Sequence, residues 1–175
     1  MRISVKNGVV KWWYKGRLVK IDEDKVQDAF KYTPETVMIL REGMKDKEFV
    51  IYGYEGVFRY RYEHNSNMLY IGEKEKKFDG TVCYVEYDEK HREYIAIISI
   101  NNERKLIVLD NDGEYITEIK YPKDYLLYVL KNMDGDVWVV LRGMTEEARD
   151  KFGRSDWQYR INFENYSLEK IGITM

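Results

Sequence analysis

At 175 residues, 44% of them hydrophobic and 34% charged, the chain is long enough for one ordinary domain and too rich in apolar side chains to be disordered. A formal net charge of −2, with the two signs interspersed, excludes an overall field that would draw in DNA, RNA or an anionic membrane. Two histidines and one cysteine leave little material for metal or nucleophile chemistry.

Residue choice points to β structure. Sixteen Tyr, four Trp and six Phe stand beside two Pro, and aromatic and β-branched side chains suit a pleated, half-buried surface. Cys83 has no second cysteine to pair with. The opening MRISVKNGVVKWW lacks the apolar core of a signal peptide, and no run reaches the length of a membrane span. A reducing, cytoplasmic location is therefore expected. Asn165-Tyr166-Ser167 fits a glycosylation sequon, whose use that compartment argues against.

In chain order, Ile3–Val5, Val9–Tyr14 and Leu18–Ile21 read as short strands, divided by Asn7-Gly8 and by Lys15-Gly16-Arg17. Asn-Gly between apolar runs marks a tight hairpin, because both residues tolerate positive φ. Trp12 and Trp13 are adjacent, so in a strand their rings point to opposite faces. Asp22–Tyr32 changes character: acidic residues lead, and Val26, Ala29 and Phe30 fall at i, i+3 and i+4. That spacing predicts a short amphipathic helix, closed by Pro34.

From Thr36 the pattern repeats. Thr36–Leu40, Thr81–Val85 and Tyr125–Val129 begin 45 and then 44 residues apart. Each leads into a polar turn and a second apolar strand: Phe49–Tyr54, Tyr94–Ile100 and Val137–Leu141. Third strands follow at Val57–Tyr62, Leu106–Leu109 and Trp157–Phe163, and fourth strands at Met68–Ile71, Tyr115–Ile119 and Leu168–Ile173. The third unit carries an insertion, 144–155, in which TEEARDKF predicts a short helix capped by Thr145 and stopped by Gly153. The expectation is one domain over 1–175, with N-terminal strands in 1–22 and repeat units at 36–73, 81–120 and 125–173.

Within each unit the first two strands read as continuous apolar runs and the later two alternate, which is how strands buried on both faces differ from strands with one wet face. The period, the four strands per unit and segments such as Leu106–Gly113 and Asp134–Trp138 resemble blades of a β-propeller. The resemblance spans roughly residues 36–173 and is not specific to one family, because the Gly-His and Trp-Asp pairs of WD repeats are absent. The expected fold is all-β, built of repeated four-stranded antiparallel meanders with about three to four propeller-like blades per chain. The alternative is a curled meander or barrel with two short helices. A fourth blade from the N-terminal strands, or a ring shared by two chains, would each resolve the low blade count.

Few residues offer chemistry. His64 and His91 lie in polar turns and read as exposed loop histidines, and Cys83, in an apolar run, reads as a buried inert thiol. Asp110–Glu114 and Asp134–Asp136 suggest calcium only briefly. The twelfth position of the first loop is Tyr121 rather than a bidentate Glu, so hydrogen-bonded turns are the better reading. Arg59-Tyr60-Arg61-Tyr62 puts two guanidinium groups on one face and two rings on the other, a weak hint of nucleic acid. Sixteen Tyr are more than a core of this size comfortably hides, since each buried hydroxyl needs a partner, so some are expected at a covered surface.

The expected function is a non-enzymatic binding module whose aromatic surface meets a protein partner or a second copy of the chain. Its candidate binding residues are Trp12, Trp13, Tyr60, Tyr62 and Trp157, with the 144–155 insertion shaping specificity. No cofactor, metal site or membrane contact is expected, and nucleic acid is disfavoured. One alternative is a small-ligand, carbohydrate-type site. The other is a hydrolase in which the turns bearing Asp110, Asp112, Asp134 and Asp136 converge.

Overall fold

The structure, a computed structural model, describes residues 1–173 and contains seventeen strands in four antiparallel sheets, with no helix among the described residues. β1 (Ile3–Lys6), β2 (Val9–Tyr14) and β3 (Arg17–Asp22) form a three-stranded sheet. β4 (Val26–Lys31), β5 (Thr36–Glu42), β6 (Lys47–Gly53), β7 (Phe58–Glu63), β8 (Met68–Ile71) and β9 (Lys74–Lys77) form one of six. β10 (Thr81–Asp88), β11 (Glu93–Ile100), β12 (Glu103–Leu109) and β13 (Tyr115–Ile119) form the third sheet. β14 (Tyr125–Met133), β15 (Asp136–Gly143), β16 (Asp156–Asn162) and β17 (Ser167–Ile173) form the fourth.

Each sheet keeps the order of the sequence, so every sheet is a meander, and none closes into a barrel. The three repeats begin where the sequence places them, at Thr36, Thr81 and Tyr125. The first repeat gains a strand on each side. β9, Lys-Glu-Lys-Lys, is a short charged edge that resists pairing with a further strand.

The segment expected to be a helix at Asp22–Tyr32 is instead an edge strand, β4. Its register against β5 shifts between Val26 and Asp28, so that Val26 and Ala29, three residues apart, both face the same core. A bulge thus mimics helical spacing. Phe30 falls on the other face and is partly exposed.

The insertion is likewise not helical. Ala148 and Arg149 donate to the carbonyls of Thr145 and Glu146 in successive turns. Asp150 then accepts from the N–H groups of Phe152 and Arg154, both at 2.9 Å, which draws the backbone away from a helical ladder. The loop folds back on β15: Gly143, whose added Cβ would lie 2.5 Å from the Ala148 carbonyl oxygen, leaves room for it.

The chain divides into two compact units, Met1–Val82 and a second beginning at Cys83, with the division inside β10. In the first unit one face of the three-stranded sheet packs on the six-stranded sheet through Val10, Trp12, Val19, Val37, Ile39 and Val50. In the second, Ile95, Ile97, Leu106 and Val108 of one sheet meet Leu127, Val139 and Leu141 of the other. β14 is wetter than its apolar sequence suggests. A register shift between Leu127 and Val129 leaves Leu126 and Tyr128 partly exposed and frees two carbonyls, of Leu127 and Tyr128, that Arg104 caps at 2.8 and 3.1 Å.

Candidate functional site

The five residues singled out by sequence do not form one surface. Tyr60 and Tyr62 are 2% and 3% exposed and offer nothing to a partner; they lie on the buried face of β7, with Tyr62 stacked on Phe49 at 5.0 Å. Trp12 is buried, and its indole N–H donates to the Tyr54 carbonyl at 2.7 Å. Trp157 is half-buried and occupied: its N–H donates to the Ala148 carbonyl at 2.6 Å and the Lys170 ammonium sits 3.2 Å from its ring centre. Trp13 alone is open, at 64% exposure.

Trp13 stands opposite Leu18 across β2 and β3, and Leu18 is also exposed. Strand alternation fixes what surrounds the pair. Lys11 pairs with Lys20 and with Ser4, so both lysines share the face of Trp13, and Lys6 follows beyond Val9. Asp22, at the far end, is the one carboxylate on that face. Lys15 and Arg17 extend the positive charge through the hairpin turn, where Arg17 donates to the Glu55 carbonyl. The result is an apolar Trp–Leu centre in a basic surround.

Much of the tyrosine excess is structural. The hydroxyls of Tyr52, Tyr54, Tyr87, Tyr121 and Tyr166 donate to Glu23, the Thr33 carbonyl, Asn111, the Arg104 carbonyl and Glu93 at 2.5–2.9 Å. Burial pushes the Tyr159 phenol up to about 12, with the neighbouring Tyr125 adding to the shift. In the first unit, Tyr52 belongs to an alternating chain of charges in which Glu23 and Glu48 flank Arg41 and Arg61 follows 3.8 Å from Glu48. Arg61 in turn covers the Tyr70 ring at 4.2 Å, and Glu23, Tyr52, Arg61 and Tyr70 help wall a hollow of about 230 Å³.

The second unit holds a larger cleft, of about 440 Å³, built by hairpin turns that gather at one end. Asp88, 1% exposed at the end of β10, is its anchor. One carboxylate oxygen accepts from the His91 backbone N–H at 2.9 Å and lies 2.8 Å from His91 Nδ1; the other accepts from Val137 N–H, at the start of β15, at 3.1 Å. The His91 ring stacks on Phe163 from the β16–β17 turn, with centres 3.7 Å apart. Beneath them Tyr166 donates to Glu93 at 2.9 Å, and the second Glu93 oxygen is buried without a donor among the described residues. Burial raises the Glu93 carboxyl, against the pull of Tyr166 and His91. The β12–β13 turn joins the group through Asn111, which accepts from Tyr87.

A carboxylate can only accept, so His91 Nδ1 carries the proton and Nε2 keeps its lone pair while the ring is neutral. The sequence placed His91 in a solvated loop; what it concealed is that Asp88, three residues earlier, is buried. His64 has a looser version of the same arrangement, 2.9 Å from the half-buried Asp46, which the ring and the Lys47 N–H hold below the usual carboxylate range.

Of the turn carboxylates, Asp136 lines the cleft. Asp110 closes its own turn by accepting from Asp112 and Glu114 at 2.9 and 2.8 Å. Among the described residues no group of three or more His, Cys, Asp or Glu side chains is arranged to hold a metal ion. Cys83 is buried and its thiol is pushed up by that burial. No helix of the described residues is long and apolar enough to cross a membrane.

No protein family matches the sequence, and no curated protein is similar to it at a significant level. A solved structure described as the crystal structure of the eukaryotic initiation factor is similar over 98% of this chain at 11% identity, with a TM-score of 0.45. The chain spans 50% of that structure's length, and a likeness of this degree carries no argument about function.

Proposed function

We propose that the chain is a non-enzymatic binding module that docks an acidic protein surface on the outer face of its N-terminal sheet. The observation that carries this reading is Trp13, 64% exposed beside exposed Leu18 on paired strands. A buried tryptophan contributes large area at little entropic cost, and such rings are the usual centres of binding energy in protein interfaces. The strands fix the ring's position before a partner arrives, which lowers the cost of binding further.

Charge selects among partners. A second copy of the chain would set Lys6, Lys11 and Lys20 against their own counterparts, so the face disfavours self-association. An acidic partner with an apolar anchor fits it, and the lysines would speed its encounter more than they tighten its grip.

Selection of a random peptide library on the full chain tests this. The expected winners carry one large apolar residue flanked by Asp or Glu, and they lose binding to Trp13→Ala and to Lys11→Glu/Lys20→Glu. Peptides that bind Trp13→Ala as well as the parent, or tighter binding of oligothymidylate than of any selected peptide, would overturn it.

A further inference from the structure

The cleft at the hairpin end of the second unit shares no residue with the Trp13 face, and its lining is of another kind. Its size, about 440 Å³, falls within the range of ordinary small-ligand pockets, about 300–1,000 Å³. Asp88 is spent within the fold, since its oxygens hold His91 and Val137. What remains for a ligand is mixed in sign: the carboxylates of Asp136, Glu164 and Glu169, and the cations of Lys90 and Arg160. Asn162 donates to Glu169 at 2.9 Å, which leaves that carboxylate further acceptor sites.

Mixed charge disfavours a simple anion or a simple cation. An anion drawn by Arg160 and Lys90 meets three carboxylates, and a cation drawn by the carboxylates meets a guanidinium and an ammonium. A hydroxyl suits both, because it donates to a carboxylate and accepts from an N–H. While the ring is neutral, His91 Nε2 adds an acceptor in the same cleft, its tautomer fixed by Asp88 and its ring held on Phe163. Val137, Ile161 and Phe163 supply apolar lining for the C–H edges of such a molecule.

We infer that this cleft is a binding site for a neutral, polyhydroxylated ligand of the mono- or disaccharide class, with His91 Nε2 accepting a hydrogen bond from one ligand hydroxyl. The inference stands or falls independently of the Trp13 surface.

The test is amide chemical-shift mapping of the full chain against neutral mono- and disaccharides, with inorganic phosphate and tetramethylammonium as charged probes. At least one saccharide is expected to shift the amides of His91, Asn162 and Phe163, and neither charged probe is expected to do so. Asn162→Ala and Arg160→Ala, both on the partly open strand β16, are each expected to weaken that saccharide at least tenfold; Arg160→Ala should leave the melting temperature unchanged, while Asn162→Ala also loses the turn bond from the Glu164 N–H. His91→Phe, which keeps a ring for Phe163, is expected to abolish it. No shift with any saccharide, shifts with phosphate or tetramethylammonium at the same amides, or saccharide binding unchanged in Asn162→Ala and Arg160→Ala would each overturn the proposal.

Discussion

Trp12 and Trp13 are consecutive residues of one strand, 1% and 64% exposed respectively. The pleat alone separates them, sending the first ring between two sheets, where it bonds the Tyr54 carbonyl, and the second to the outer face beside Leu18.

The two substitutions should therefore separate folding from binding. Trp12→Ala removes a buried ring from the centre of the first unit and is expected to cost about 3–5 kcal/mol. Trp13→Ala removes no buried contact and should stay within about 0.5 kcal/mol of the parent, as surface changes do. Urea unfolding measures both. Comparable losses from the two would mean that Trp13 is covered in the folded chain, and the docking face would be lost with it.

The repeat was legible because periodic apolar runs are what a meander of buried strands requires, and Thr36, Thr81 and Tyr125 each open a strand as read. β9 was not legible, since Lys-Glu-Lys-Lys has no apolar residue to mark a strand. β4 has the spacing of a helix because its bulge brings Val26 and Ala29 to one face. The site was harder still. Tyr60 and Tyr62 alternate with two arginines as residues of a half-wet strand do, yet the side they share is the buried one. Asp88 and His91 are ordinary turn residues in sequence; their partners Val137 and Phe163 arrive from hairpins tens of residues away, which no local pattern records.

Glu93 gives the second unit a pH dependence. Burial is the main cause that holds its carboxyl above the ordinary value of 4.5, with Asp88 and Asp110 adding to it and the Tyr166 hydroxyl and His91 opposing. For a group whose pKa is raised by folding, the stabilising contribution is full below the ordinary value and is lost as pH rises through the raised one. Glu93→Gln keeps an oxygen for Tyr166 and removes the charge. Its melting temperature is expected to match the parent near pH 4 and to exceed it at pH 7. A gap of equal size at both pH values would show that the effect is packing, not titration.

Asp88 is the residue on which the cleft depends most. Asp88→Ala leaves the buried Val137 N–H without its acceptor, a loss of about 1–3 kcal/mol for a buried donor, and it also removes the group that fixes the His91 tautomer. Asp88→Asn can turn its amide either way. With its oxygen on the His91 side it keeps both His91 bonds and the Nδ1–H tautomer, whereas its NH₂ group turned toward Nδ1 would donate and drive the ring proton to Nε2. Imidazole nitrogen chemical shifts read this directly. While the ring is neutral, the parent is expected to carry its proton at Nδ1, and Asp88→Ala to show the Nε2–H tautomer or an average of the two, with Asp88→Asn reporting which way its amide turns. An unchanged Nδ1–H tautomer in Asp88→Ala would mean that a group other than Asp88 orients the ring. The hydroxyl-accepting role of Nε2 would then lose its physical basis, whatever ligand the cleft holds.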